Sequence, residues 1–167
     1  MHNELTEKDI QLMRQELDYR RTVLRPKLIE DVQTARAFGD LSENFEYKAA
    51  KRDKNRNDSR CRYLENMIKT AVVISGRSAA GTVGLYDKVT FYVEEDDETV
   101  TCQIVTTMRQ DALKGLISKE SPVGKAILGC RVGDRATVQV SDSYSYDVVI
   151  RAIEPGEDTG EAPLVRF

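Results

Sequence analysis

Histidine occurs once in this chain, as His2, and tryptophan not at all. A single histidine near a terminus cannot assemble a Ser/His/Asp or Cys/His constellation, which argues against histidine-based catalysis. Cysteine is scarce too: Cys61, Cys102 and Cys130 are odd in number, far apart and form no CxxC pair. That spacing argues against a disulfide framework and against a thiolate zinc site. No apolar run approaches the roughly 20 residues that a membrane-spanning helix requires. The opening residues, from Met1 to Glu7, lack the basic and apolar segments of a secretory leader, so a cytoplasmic protein with no membrane partner is expected.

What the chain has in quantity is charge, which makes up 32% of its 167 residues. The net charge of −3 conceals an asymmetry. Residues 1–77 carry 16 Lys/Arg against 13 Asp/Glu, and residues 78–167 carry 9 against 15. The change of sign coincides with a change in hydrophobic period, which predicts two domains with different partners, 1–77 and 78–167.

The first half reads as two helices. Thr6 and Asp9 have the spacing of a capping box, with Leu5 and Ile10 placed as a hydrophobic staple. Ile10, Met13, Leu17, Leu24, Leu28 and Ala35 then form a coiled-coil-like stripe, interrupted by Arg21. Pro26 lies inside this stripe and predicts a kink or break, because proline removes a backbone donor and crowds the preceding turn. Gly39 supplies a left-handed stop. The second helix carries its seam on Tyr47, Ala50, Lys54, Asn57, Cys61, Leu64 and Ile68, with polar residues in the middle. Folded back on the first arm, it brings Ala35 opposite Tyr47, Leu28 opposite Lys54, Leu17 opposite Leu64 or Glu65, and Asp31 within reach of Lys51. Arms of this length reach about 45–50 Å, which no globular core requires.

From Ala71 the period becomes that of strands. Residues 71–75, 89–93, 99–105, 135–140 and 146–153 read as strands, and Glu94 to Glu98 as an acidic turn. Ser121 and Pro122 open a short helix as N-cap and first helical residue. The expected fold class is α+β. A long antiparallel coiled-coil hairpin with its tip at residues 39–44 is followed by a mainly antiparallel sheet with a short helix. An acidic tail from about residue 155 is expected to be mobile.

Four features could carry chemistry, and each has a plainer structural reading. Asp40 and Glu43 have the spacing of a capping box opening the second helix; they could equally share a divalent cation, for which Mg²⁺ is suited, if a partner completed the site. Lys48, Lys51, Arg52, Lys54, Arg56, Arg60 and Arg62 are accompanied only by Asp53 and Asp58. They form either a solvated helix face or a contact surface for phosphates. Phe38, Phe45 and Tyr47 flank the turn and read as packing the arms together, with Tyr47 on the seam; Phe38 or Phe45 could instead offer a ring to a nucleotide base. Gly124-Lys125 is not a phosphate loop, because Ala126 follows the lysine and Lys119 stands where the leading glycine belongs.

Taken together, these residues resemble the Gre family of bacterial transcript cleavage factors, GreA and GreB, over nearly the whole chain. The resemblance is carried by Gln15-Glu16-Leu17, Arg25-Pro26, Ala35-Arg36, Gly39-Asp40-Leu41-Ser42-Glu43-Asn44 and Glu46-Tyr47. In the second half it is carried by Leu116-Ile117-Ser118, by Ser121 to Ala126, and by Gly133-Asp134. It implies that the C-terminal domain is FKBP-like and docks at the rim of the secondary channel of RNA polymerase, with Ser121 and Pro122 at the docking face. The coiled coil then passes down the channel. The resemblance makes Asp40 and Glu43 the catalytic carboxylates, holding a shared Mg²⁺ within the polymerase active site, with no tightly bound cofactor of the factor's own. Ser42, Asn44 and Tyr47 would shape the tip, and Arg36, Lys51 and Arg52 would touch the 3′ end of backtracked RNA. The nuclease is then the polymerase's, and the protein is a monomeric factor, not an enzyme. Two departures stand out: Phe45 occupies a position where the family often has a small residue, and the segment from Lys54 to Tyr63 is more basic than a typical GreA. Competing readings are a channel-entering factor that blocks polymerase without cleavage, a prolyl isomerase in the FKBP-like half, and a chaperone-like or dimerising coiled coil.

Overall fold

In the computed structural model, residues 3–39, 43–76 and 78–166 are described. The chain divides into two compact units, residues 10–71 and residues 1–9 with 72–167. The boundary differs from a division at residue 77 because the extreme N-terminus and residues 72–77 belong with the C-terminal unit. Glu4–Leu5 (β1) pairs in parallel with Val72–Val73 (β2), and Val72 N donates to Asn3 O at 2.8 Å.

The helical unit is built from Glu7–Tyr19 (α1), Arg25–Arg36 (α2) and Phe45–Thr70 (α3). The expected capping box starts α1: Asp9 N donates to Thr6 Oγ1 and Thr6 N to the Asp9 carboxylate. Between α1 and α2 the helix widens into a π-helical segment, Arg20–Leu24, closed by the Arg25 N–H donating to Arg20 O. Pro26 is the physical reason. It has no N–H and its ring crowds the carbonyl four residues back, so the preceding turn is loosened without being broken.

The arms meet on Met13, Leu17 and Ala35 from one side and Cys61, Leu64 and Met67 from the other, all buried. The polar middle of the seam is buried as well. Asn57 and Arg60 are 3% and 6% exposed, yet both have partners. Arg60 donates to both oxygens of Glu16, at 2.9 and 3.2 Å. Arg20 donates to Glu16 at 2.7 Å and to the Asn57 amide oxygen at 3.0 Å, and Asn57 donates back to Arg20 O. Burial alone would raise the Glu16 pKa, but the hydrogen bonds from Arg60 and Arg20 outweigh it and hold the carboxyl below its ordinary value. Such a layer is satisfied in only one register. The expected Asp31–Lys51 pair does not form among the described residues; Arg25 and Lys54 converge on Asp58, each at 3.0 Å, and Arg21 pairs with Glu65.

The second unit is a five-stranded sheet of order β5-β4-β3-β7-β6, formed by Lys88–Val93 (β3), Glu98–Val105 (β4), Leu116–Ser118 (β5), Arg135–Gln139 (β6) and Ser145–Glu154 (β7). All neighbours are antiparallel except β4 and β5, which run parallel. Alternate residues of β3, Val89, Phe91 and Val93, point into a core with Ile104, Val138, Val148 and Ile150. Pro122–Ile127 (α4) closes it with Ile127, fully buried.

The tail departs from expectation. It is pinned. Gly156 N donates to Asp87 Oδ1 at 3.1 Å, Val165 N donates to Met108 O at 2.7 Å, and Arg109 donates through Nε to Ala162 O. Arg109, 0% exposed, makes a two-pronged ion pair with Asp158, both bonds at 3.0 Å, and reaches Asp9 at 3.3 Å. Asp9 also accepts from Thr106 Oγ1 at 2.7 Å. A buried guanidinium costs several kcal/mol in desolvation unless carboxylates meet it, and here two do. The acidic composition that suggested mobility therefore includes the counter-charge for a cation in the interior.

Candidate functional site

The hairpin tip is set by how α2 stops and α3 starts. The last turn of α2 closes with Ala37 N donating to Gln33 O and Thr34 O, and Phe38 N to Ala35 O. Gly39 follows with φ of +115°, in open space. The glycine is needed for its backbone conformation, since a side chain would meet nothing there.

The start of α3 corrects the capping-box expectation. Its N-cap is Asn44, whose Oδ1 accepts from Tyr47 N at 2.9 Å. The same side chain donates from Nδ2 to Ala35 O at 2.7 Å. One amide thus satisfies an unpaired donor of α3 and adds a bond to the Ala35 carbonyl, which also accepts from Phe38 N, and so ties the arms together. An amide can do both, whereas an ionised carboxylate has no proton to donate. Sequence reasoning placed Asn44 among the tip-shaping residues but assigned the cap to Asp40. The signal for Asn44 lay in its own position, three residues before Tyr47.

With the cap made by Asn44, Glu43 is exposed and lies one residue outside the helix. Asp40 and Ser42 fall outside the described residues. Arg36, the final residue of α2, and Lys51 and Arg52 on α3 are exposed, while Tyr47 is half-buried. The Asn44–Ala35 bond brings Arg36 and Glu43 to the same end of the hairpin, each being the chain neighbour of a bonded residue. Phe38 and Phe45 do not pack the arms together; they are 72% and 80% exposed.

The basic run divides in two. Lys54 is engaged by Asp58 and Arg60 by Glu16. Nearer the tip, Arg36, Lys48, Lys51, Arg52 and Arg56 form no ion pair among the described residues. Two of the seven cations of the run are therefore part of the coiled coil's own structure, and the other five form no ion pair among the described residues.

Among the described residues no group of three or more His, Cys, Asp or Glu is arranged to hold a metal ion. The oxygen donors of a tip carboxylate suit a hard divalent cation, but only as part of a site completed elsewhere. In the other unit Ser121 caps α4, accepting from Gly124 N at 3.0 Å, and Pro122 is the exposed first helical residue. A Cβ on Gly124 would lie 2.2 Å from Ser118 O. That glycine serves close packing of α4, as expected of a segment that is no phosphate loop. No described helix is long and apolar enough to cross a membrane.

Comparison with known proteins adds the family. The N-terminal transcription elongation factor model matches residues 3–73, and the C-terminal GreA/GreB transcription elongation factor model matches residues 78–155. The transcription elongation factor GreA of Geobacillus kaustophilus is 43% identical over 136 residues, 81% of this chain and 86% of that protein. GreA of Staphylococcus epidermidis is 36% identical over 150 residues, 90% of this chain and 95% of that one. Among solved structures, GreA factor homolog 1 (Gfh1) of Thermus thermophilus is 26% identical across 91% of this chain and 98% of its own, with a TM-score of 0.40. With both halves matched by the family's models and relatives similar over most of the length, this chain belongs to the GreA/GreB family of transcription elongation factors.

Proposed function

We propose that the chain acts as a monomeric elongation factor whose hairpin enters the secondary channel of RNA polymerase and stimulates the polymerase's own cleavage of backtracked RNA. The observation that supports this most directly is the cap. Asn44 caps α3 and bonds the Ala35 carbonyl, and Glu43 lies exposed outside the helix. Arg36, Lys51 and Arg52, exposed and without an ion pair among the described residues, flank the same end, as contact with an RNA 3′ segment requires.

Asp40 and Glu43 are the residues that would hold a Mg²⁺ shared with the polymerase. When bound, that ion supplies two-metal phosphodiester hydrolysis, favouring an attacking water and a leaving oxygen. The chain's contribution is to deliver two carboxylates on a rigid arm, to orient the RNA end with cations, and to exclude bulk water. Ser121 and Pro122 belong to the face that would hold the sheet domain at the channel rim.

The test uses arrested elongation complexes with Mg²⁺ and wild-type, Asp40→Ala or Glu43→Ala protein. Wild type is expected to release short 3′ RNA fragments. Each variant is expected to lose at least about 100-fold in cleavage rate, the range for removing a group that acts in the transition state, while still binding polymerase. Equal cleavage by wild type and Asp40→Ala would remove the assigned role of the tip. Inhibition of elongation without cleavage would favour a blocking factor.

A further inference from the structure

We propose that Phe45 is a stacking platform for one base of single-stranded RNA beside the tip, with Lys48 positioned for that nucleotide's phosphate. The inference rests on the reading just given and specifies how the hairpin would grip the RNA end.

Phe45 is the first residue of α3 and 80% exposed. Among the described residues its ring is no part of the buried seam. The hairpin is closed beside it by buried Ala35 and by Asn44, and the first turn is capped without its ring. A phenyl group at such a position keeps a large apolar face in water. Lys48, one turn further on, places Nζ 5.7 Å from the centroid of the Phe45 ring. Its ammonium forms no ion pair among the described residues. The cation therefore lies against the ring through its quadrupole, and the exposure of the ring leaves the opposite face open.

An aromatic face with an unengaged cation beside it is the combination that binds single-stranded nucleic acid. The base stacks on the ring, and the charge meets the backbone. Lys51, Arg52 and Arg56 follow on the same helix, exposed and unpaired, which continues the positive path away from the ring. An apolar protein partner would have no use for this row of cations. A polyanion carrying flat bases uses both features.

The experiment compares wild type with Phe45→Ala, Phe45→Tyr and Phe45→Trp on arrested complexes. The RNA 3′ segment carries either normal nucleotides or a single abasic nucleotide at successive positions. At sub-saturating factor, Phe45→Ala is expected to slow cleavage about fivefold or more, the lower end of one base–aromatic stack. The Tyr and Trp variants should stay within about twofold of wild type, because any aromatic face serves. One abasic position should slow wild type by a similar factor and leave Phe45→Ala little changed. Because the chain has no tryptophan, Phe45→Trp also introduces a sole indole. Its fluorescence should be quenched by a short single-stranded RNA and far less by a fully abasic strand of equal length.

Phe45→Ala cleaving at the wild-type rate would overturn the proposal, as would equal slowing on every RNA, abasic strands included, which marks a polymerase contact. Indole fluorescence that responds equally to RNA and to the abasic strand would also overturn it. Wild type failing to cleave at all would instead defeat the cleavage reading. The fluorescence comparison would then still decide the stack.

Discussion

Arg109 and Arg36 carry the same guanidinium to opposite fates. Arg109 is fully buried, with Asp158, Asp9 and the Ala162 carbonyl accepting its hydrogen bonds. Arg36, at the end of α2, is exposed and forms no ion pair among the described residues. The same contrast runs along the hairpin, where Arg60 is held by Glu16 while Lys51 and Arg52 are open. A cation already satisfied inside its own fold holds that fold together. One left solvated is available to a polyanion at little desolvation cost. A count of basic residues treats the two alike, and only the position of the carboxylates separates them.

Arg109→Leu would break the comparison most severely. It leaves Asp9 and Asp158 as buried charges without their cation, and should lower unfolding stability by about 3–5 kcal/mol in a urea titration. Asn44→Ala comes next, with an expected loss of about 1–2 kcal/mol from the missing cap and the lost bond to the Ala35 carbonyl. Asn44→Asp should fall between it and wild type, because it keeps the cap and loses the donor.

Acid sharpens the contrast within the hairpin. Glu16 is held below its ordinary value of 4.5, so its contribution is complete above that value and is lost as pH falls through the lowered folded pKa. Helicity followed by circular dichroism through this window should fall less steeply in Glu16→Gln than in wild type. The smallest effect on stability belongs to Lys51→Ala and Arg52→Ala, within about 0.5 kcal/mol. The same pair should nonetheless weaken binding to arrested complexes and flatten its salt dependence, an outcome opposite to that of Arg109→Leu.

Much of the architecture was legible from local chemistry. The Thr6–Asp9 capping box, the seam through Met13, Leu17 and Leu64, the four long strands β3, β4, β6 and β7 and the Ser121 cap of α4 appear as read, whereas the short strands β1 and β5 were not foreseen. These depend on residues within one turn or on a period, and both are written along the chain. The site was legible as a place but not in its details. Asp-x-x-Glu and Asn44 are both grammatical caps, and the cap of α3 is Asn44, which also reaches the Ala35 carbonyl on the other arm. Phe38 and Phe45 were readable as packing residues until the closed turn left no room for them inside.

The sequence by itself determined the two-unit plan, the caps of α1 and α4 and the family, because caps, periodicity and motif are properties of neighbouring residues. Tertiary structure alone decided which charges are engaged. The partners of Arg109 lie 100 and 49 positions away, and Arg60 meets Glu16 across 44. No local rule reports such a pairing, since each ion pair exists only after the backbone has brought its carboxylate and its cation together away from water. That tertiary decision turned an apparently mobile acidic tail into a segment held by buried Arg109 and left Arg36, Lys51 and Arg52 as open charges at the tip among the described residues.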